Sequence, residues 1–132
     1  MTIAIRSAVP LKAPEQFFIN GEWVRPRGGR MLDVVSPVTE EVLLRYPEAG
    51  PDDIDRAVAA ARAAFDNGPW PRMAPAERAS YLRRVSALIA GRLDEIAWAW
   101  TTQVGAPISL TKKLVGQNAT LFRYYADLIE TY

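Results

Sequence analysis

The sequence predicts a small β element followed by three or four α-helices. Between residues 17 and 47, short apolar runs are separated by turn-forming dipeptides, which is typical of short strands. From Gly50 onward, apolar residues recur at spacings of three and four, the period of a helix. Residues 1–16 carry two prolines and little periodicity, and we interpret them as an N-terminal arm. At 132 residues, the chain suffices for one domain with a moderate core.

The β element opens with a predicted hairpin at residues 18–24. Apolar residues there flank Asn20-Gly21, the dipeptide that best tolerates the positive φ values of a type I′ turn. A second pair of strands is predicted over 31–36 and 42–46, joined by a Pro-Val-Thr-Glu turn. The intervening loop, 25–30, is rich in Arg and Gly. Its basic side chains could contact phosphate, but a solvated loop is the favoured interpretation.

The first helix is predicted to begin at Pro51, whose missing N–H suits a first helical turn. We expect Asn67-Gly68 to end this helix with a residue in the left-handed conformation. An acidic cluster at the start opposes the positive end of the helix dipole, and it consists of Asp52, Asp53 and Asp55. A stripe expected to face a core consists of Ile54, Ala57, Val58, Ala61 and Phe65. The alanines between them leave a slim surface on which a neighbouring element can pack closely.

Three more helical segments are predicted over 75–90, 93–104 and 108–132, with breaks at Gly91 and Gly105. The buried stripe expected of the second helix is Leu82, Val85, Leu88 and Ile89. The seam expected of the last helix is Leu110, Leu114, Leu121, Tyr125, Leu128 and Tyr132. Because this seam stays apolar to the last residue, we expect the helix to continue into further chain.

The composition excludes most nucleophilic chemistry. The chain contains no Cys and no His, so a thiolate nucleophile and the common triads are absent. The serines, at positions 7, 36, 80, 86 and 109, stand in no Gly-x-Ser-x-Gly motif. Lys12, Lys112 and Lys113 could act as bases, but no pattern indicates that one is desolvated. The acidic cluster could bind a divalent cation, yet helix capping explains it more simply, because calcium loops need more oxygens and a glycine turn.

Binding functions have equally little support. The eight glycines never form Gly-x-Gly-x-x-Gly or a phosphate loop. The net charge of +1 gives no reason to expect nucleic acid, and no apolar run approaches the length of a membrane span. The tryptophans, at 23, 70, 98 and 100, are interpreted as core anchors in preference to base-stacking groups. We therefore assign no catalytic, no cofactor-binding and no metal-binding residue, and expect a cytoplasmic protein by default.

Six runs occur in a characteristic order: 18–23 (FINGEW), 33–42 (DVVSPVTEEV), 53–65 (DIDRAVAAARAAF), 68–70 (GPW), 75–78 (PAER) and 122–126 (FRYYA). Together they resemble the N-terminal segment of the aldehyde dehydrogenase superfamily, over about residues 17–132. The resemblance implies an α/β fold, with 17–132 as an incomplete part of the NAD(P)-binding domain. It also implies a complete enzyme that oxidises an aldehyde to a carboxylic acid with NAD or NADP, through groups that all lie downstream of this segment.

The implied partners are the remainder of the subunit and, for the complete enzyme, further copies in a homo-oligomer. We expect no nucleic-acid or membrane partner, and the 132 residues alone are predicted to be inactive. The sequence departs from the family pattern in having Ser36 and Glu40 where Asn and Gly are usual, and Gln103 where many members have an acid that helps to hold a monovalent cation. The alternative hypothesis is a non-catalytic, standalone interaction module that retains this scaffold.

Overall fold

The computed structural model describes residues 13–131. Most of the predicted arm, with Ser7 and Lys12, therefore lies outside the described residues, as does Tyr132 of the predicted seam. The chain divides into two compact units between Pro71 and Arg72, called here the N-terminal and the C-terminal unit. Within 13–131 the elements are β1 (Phe17–Ile19), β2 (Glu22–Val24), β3 (Met31–Val35), β4 (Val42–Pro47), α1 (Pro51–Asn67), a short 3-10 turn (Trp70–Arg72), α2 (Pro75–Gly91), α3 (Leu93–Val104) and α4 (Ile108–Thr131). The predicted small β element followed by helices is confirmed.

The first hairpin has the predicted turn. β1 and β2 pair antiparallel, with Phe17 opposite Val24. Asn20 and Gly21 have φ values of 54° and 82°, so both central residues are left-handed, as a type I′ turn requires. The predicted type I′ turn is therefore confirmed, including the conformation of both central residues.

The second strand pair ends in a turn held by a serine hydroxyl. β3 and β4 pair antiparallel, with an irregularity between Val34 and Val35. Ser36 is buried, and its Oγ accepts hydrogen bonds from the N–H groups of Val38 (3.3 Å) and Thr39 (3.1 Å). This hydroxyl satisfies the backbone donors in the way an Asn side chain does in an Asx turn.

Helix α1 begins and ends at the predicted residues, but the conformation at its C-terminal end differs from the prediction. Gly68 has φ −70°, so the expected left-handed termination is wrong. The N–H of Gly68 still donates to the carbonyl of Ala64 (3.0 Å), and a Cβ on Gly68 would lie 2.1 Å from that oxygen. Glycine is required here for close approach to the last helical turn, and a positive φ plays no part.

The alanine-rich face of α1 lies against the hairpin. Grooves between the two elements are lined by Ile19 and Val24 on one side and by alanines of α1 on the other. Ala57 and Ala61 of the predicted stripe line one of these grooves, whereas its large side chains are exposed: Ile54 is 52%, Val58 62% and Phe65 65% exposed. The expectation that this stripe faces a core is wrong for the described chain, because Ala57 and Ala61 are exposed as well.

The C-terminal unit is built on α4. Helices α2 and α3 each pack against α4. Its fully or nearly buried side chains are small: Ala79, Ser86, Ala97, Thr111, Val115, Ala119 and Ala126. The expected α2 stripe is wrong in part, because Val85 and Leu88 are exposed while Ala79 and Ser86 are buried. Small residues let two helices approach closely, and this makes them the contact surface.

The expected seam of α4 is also wrong in part, although Leu114 and Leu128 are partly buried. Leu110, Leu121 and Tyr125 are 45%, 50% and 49% exposed. The buried face carries Thr111, Val115, Ala119 and Ala126 instead. Helix α4 is thus apolar on two faces, of which only one is covered within residues 13–131. No helix in this range combines the length and apolar character needed to cross a bilayer.

Candidate functional site

The buried carboxylate of Asp53 organises the start of α1. Its oxygens accept the backbone N–H of Arg27 (3.2 Å to each oxygen) and of Gly50 (3.4 Å), and the Arg56 guanidinium donates at 3.3 Å. The Asp53 side chain is 1% exposed and that of Arg56 is 27% exposed. The carboxylate thus joins the 25–30 loop to the helix N-terminus. Sequence analysis placed Asp53 in the cap but missed the loop contact, for which no local pattern exists.

The other two acids of the predicted cluster, Asp52 and Asp55, are exposed. Within residues 13–131, no three Asp or Glu side chains converge in a group that could hold a metal ion. Gln103, where the resemblance implies an acid in many family members, uses its Nε2 to donate to the carbonyl of Ala99 (3.0 Å). An uncharged amide turned onto its own helix offers a cation little electrostatic attraction.

Serine and threonine hydroxyls in the C-terminal unit join helices. Ser86 Oγ donates to the Ala119 carbonyl (2.7 Å), a buried bond between α2 and α4. Thr101 and Thr111 share a 2.9 Å bond between α3 and α4. Ser80 Oγ donates to the carbonyl of Glu77 (2.7 Å) within α2. In these bonds the partner of each hydroxyl is a backbone carbonyl or another hydroxyl, and none of the partners is a general base. Ser109 is exposed at the start of α4.

The candidate basic residues within the described range are exposed. Lys112 forms an ion pair with Asp94 (2.8 Å), and Lys113 is exposed on α4. A lysine that serves as a general base is desolvated, and both of these side chains are exposed. Neither lysine has the surroundings of a general base.

A guanidinium fork joins α2 to α4 on the surface. Arg83 donates to Asp127 (2.9 Å) and to both oxygens of Glu130 (2.8 and 2.5 Å). The hydrogen bond from Arg83 holds the pKa of Glu130 below its ordinary value, and the same pairs raise the pKa of Arg83. A similar pair at the start of α3, Arg92 with Glu95 (2.6 Å), lowers the pKa of Glu95. Both pairs are solvent-exposed ion pairs.

The start of α1 does not fit a dinucleotide. A pyrophosphate is bound by free N–H groups at a helix N-terminus, usually after a glycine-rich turn. At α1 the Asp53 carboxylate already accepts the N–H of Gly50, and its negative charge repels an anion. The adjacent 25–30 loop is closed by the Arg30–Glu48 ion pair (3.0 Å), and Gly29, with φ +97°, lies directly against the Glu48 carbonyl.

Large, solvent-exposed apolar side chains are the main feature of the surface of the described residues. On α1 they are Ile54, Val58 and Phe65; on α4 they are Leu110, Leu121, Tyr124 and Tyr125. Trp23, Trp70 and Trp98 are 48%, 44% and 40% exposed, so their interpretation as core anchors is wrong within the described chain. Several large exposed groups on single helix faces are typical of surfaces that contact other protein. These side chains form the surface through which the described residues can contact other protein.

Comparison with known proteins gives the family. The model of the aldehyde dehydrogenase family matches residues 23–132, most of the chain. The chain belongs to this family. The resemblance carried by the six ordered runs is thereby confirmed.

The aldehyde dehydrogenase relatives match at moderate identity. Aldehyde dehydrogenase 1 of Tanacetum cinerariifolium is 39% identical over 112 residues, which cover 84% of this chain and 22% of that protein. The 2-hydroxymuconic semialdehyde dehydrogenase of Pseudomonas sp. (strain CF600) is 40% identical over 114 residues, covering 86% of this chain and 23% of that protein. The chain thus spans less than a quarter of the length of these two relatives.

Solved aldehyde dehydrogenases share the fold. Aldehyde dehydrogenase C of Pseudomonas syringae, crystallised as a variant with NAD+ and octanal, has a TM-score of 0.86 at 38% identity, over 94% of this chain and 25% of that one. The NAD-dependent aldehyde dehydrogenase of Sinorhizobium meliloti has a TM-score of 0.82 at 40% identity, and the match covers 93% of this chain and 24% of that protein. The predicted aldehyde dehydrogenase-like fold class is confirmed by these similarities.

Proposed function

We propose that this chain is the N-terminal part of an NAD-dependent aldehyde dehydrogenase that oxidises an aldehyde to a carboxylic acid. Residues 1–16 are the arm, and 17–132 are the first part of the NAD(P)-binding domain. The observation that carries the proposal is the family match over 23–132, in relatives of which the chain covers less than a quarter. The remaining length of the subunit supplies the reacting groups.

NAD is the cofactor that the relatives favour for the complete enzyme. The Pseudomonas syringae enzyme was crystallised with NAD+, as was the betaine aldehyde dehydrogenase of Staphylococcus aureus. The choice between NAD and NADP is made near the adenosine ribose, by residues outside this chain. The substrates named for the relatives include octanal, benzaldehyde and 2-hydroxymuconic semialdehyde, so the substrate class proposed here is an aldehyde without further specification.

The role of these residues in that enzyme is structural. The chain has no thiol and no imidazole, and its buried carboxylate is occupied by backbone donors and Arg56. We propose that it contributes no catalytic, cofactor-binding or metal-binding residue. Its bare apolar faces on α1 and α4 would be covered by the rest of the subunit, which is the proposed partner. Assembly into a homo-oligomer and a cytoplasmic location belong to the same proposal.

The proposal is tested by adding the missing remainder. The 132-residue chain is co-expressed with a second polypeptide that carries the downstream part of a relative, and the native mass and aldehyde-dependent formation of NADH are measured. We expect a complex far larger than 14.7 kDa that reduces NAD, and no NADH formation from either polypeptide alone. A remainder whose nucleophilic cysteine is replaced should assemble equally and fail to reduce NAD.

A different result would replace the proposal. If the chain stays a folded species of 14.7 kDa in the presence of the remainder, and no NADH forms, the enzyme interpretation is wrong. The non-catalytic interaction module would then be the better hypothesis, and the bare faces would be tested against other proteins.

A further inference from the structure

We draw no further inference here: the strongest candidate, the bare apolar faces of α1 and α4 together with the buried Nε of Arg78 on α2, which has no hydrogen-bond partner among the described residues, carries nothing beyond the proposed docking of the remainder of the subunit, because nothing in the structure shows what covers these faces or which acceptor Arg78 meets.

Discussion

Replacing Asp53 by alanine is expected to destabilise the N-terminal unit by about 3 kcal/mol. The carboxylate is 1% exposed and accepts two backbone N–H groups and one guanidinium N–H. Alanine would remove every acceptor at once and leave these donors without partners. The matched control is Asp52→Ala, which removes a carboxylate from the same helical turn but from an exposed position.

The magnitude follows from the number and quality of the bonds. A hydrogen bond to a charged group contributes about 1.5–3 kcal/mol, and three at full strength would approach the upper end of single-mutation effects. The bonds of Asp53 are long, at 3.2–3.4 Å, and Arg56, with 27% of its side chain exposed, can recover hydration. We therefore expect about 2–4 kcal/mol for Asp53→Ala. Asp52→Ala should cost only about 0.3–1 kcal/mol, the value of an exposed acid at a helix N-terminus.

The assay combines urea unfolding with amide hydrogen exchange. Unfolding gives the free energy difference, and exchange at the Arg27 amide reports the loop contact directly, since that N–H donates to both oxygens of Asp53. Asp53→Ala should abolish protection of this amide, while Asp52→Ala should leave it. Equal losses of stability in the two variants, or unchanged protection at Arg27, would refute the assignment of the loop contact to Asp53.

Four further variants test other features by urea unfolding. Gly68→Ala should destabilise the chain by more than about 1 kcal/mol, because its Cβ would lie 2.1 Å from a carbonyl oxygen, whereas Gly91→Ala, with nothing within 4 Å, should stabilise it by about 0.5–1 kcal/mol. Glu40→Gly should stabilise it by about 0.5–1 kcal/mol, since φ at Glu40 is 59° and a left-handed non-glycine residue costs about 1–2 kcal/mol. Because the pKa of Glu130 is lowered in the folded state, its ion pair stabilises the fold above the ordinary pKa of 4.5 and loses this effect as the pH falls through the lowered value. Arg83→Gln should remove that part of the acid dependence.

Each of these variants has a contradicting outcome. A Gly68→Ala protein as stable as Gly91→Ala would show that the helix end can shift away from the carbonyl. Glu41→Gly, at the neighbouring position without positive φ, should lose stability; if Glu40→Gly loses as much, strain at Glu40 is absent. A stability curve below pH 4.5 that is identical in the wild type and Arg83→Gln would show that the fork contributes nothing in solution.

Local signals in the sequence predicted the elements well. The Asn20-Gly21 turn, the start of α1 at Pro51 and the end of α3 before Gly105 were all predicted from short-range patterns. Such features depend on the φ preferences and missing donors of single residues, so a few letters suffice to place them. The end of α1 at Asn67 was predicted correctly, but the left-handed conformation expected there is wrong, because Gly68 is used for close approach and not for its φ.

Which helix faces are buried could not be predicted in the same way. Hydrophobic periodicity gives most weight to large side chains, and it selected Leu121 and Tyr125 on α4. The covered face carries Ala119 and Ala126, and the partner helix contributes Ser86 through a bond to a backbone carbonyl. A pattern of small residues at spacings of four and seven was the available signal. The Asp53 contact had none, because Arg27 lies 26 positions away and donates only its backbone N–H.

The contacts between α2 and α4 also set an order of events during synthesis. Arg83 and Glu130 are 47 positions apart, and Ser86 and Ala119 are 33 apart. At roughly 5–20 residues per second, the ribosome needs about 2–9 s to make the stretch from Arg83 to Glu130. Until α4 has been made, α2 lacks the helix against which it packs, and a helix of 17 residues is marginal alone in water. The strand pairs and α1 precede α2 in the chain and have already been synthesised at that stage. The nascent chain therefore contains all elements of the N-terminal unit, followed by a helix that is not yet packed against α4.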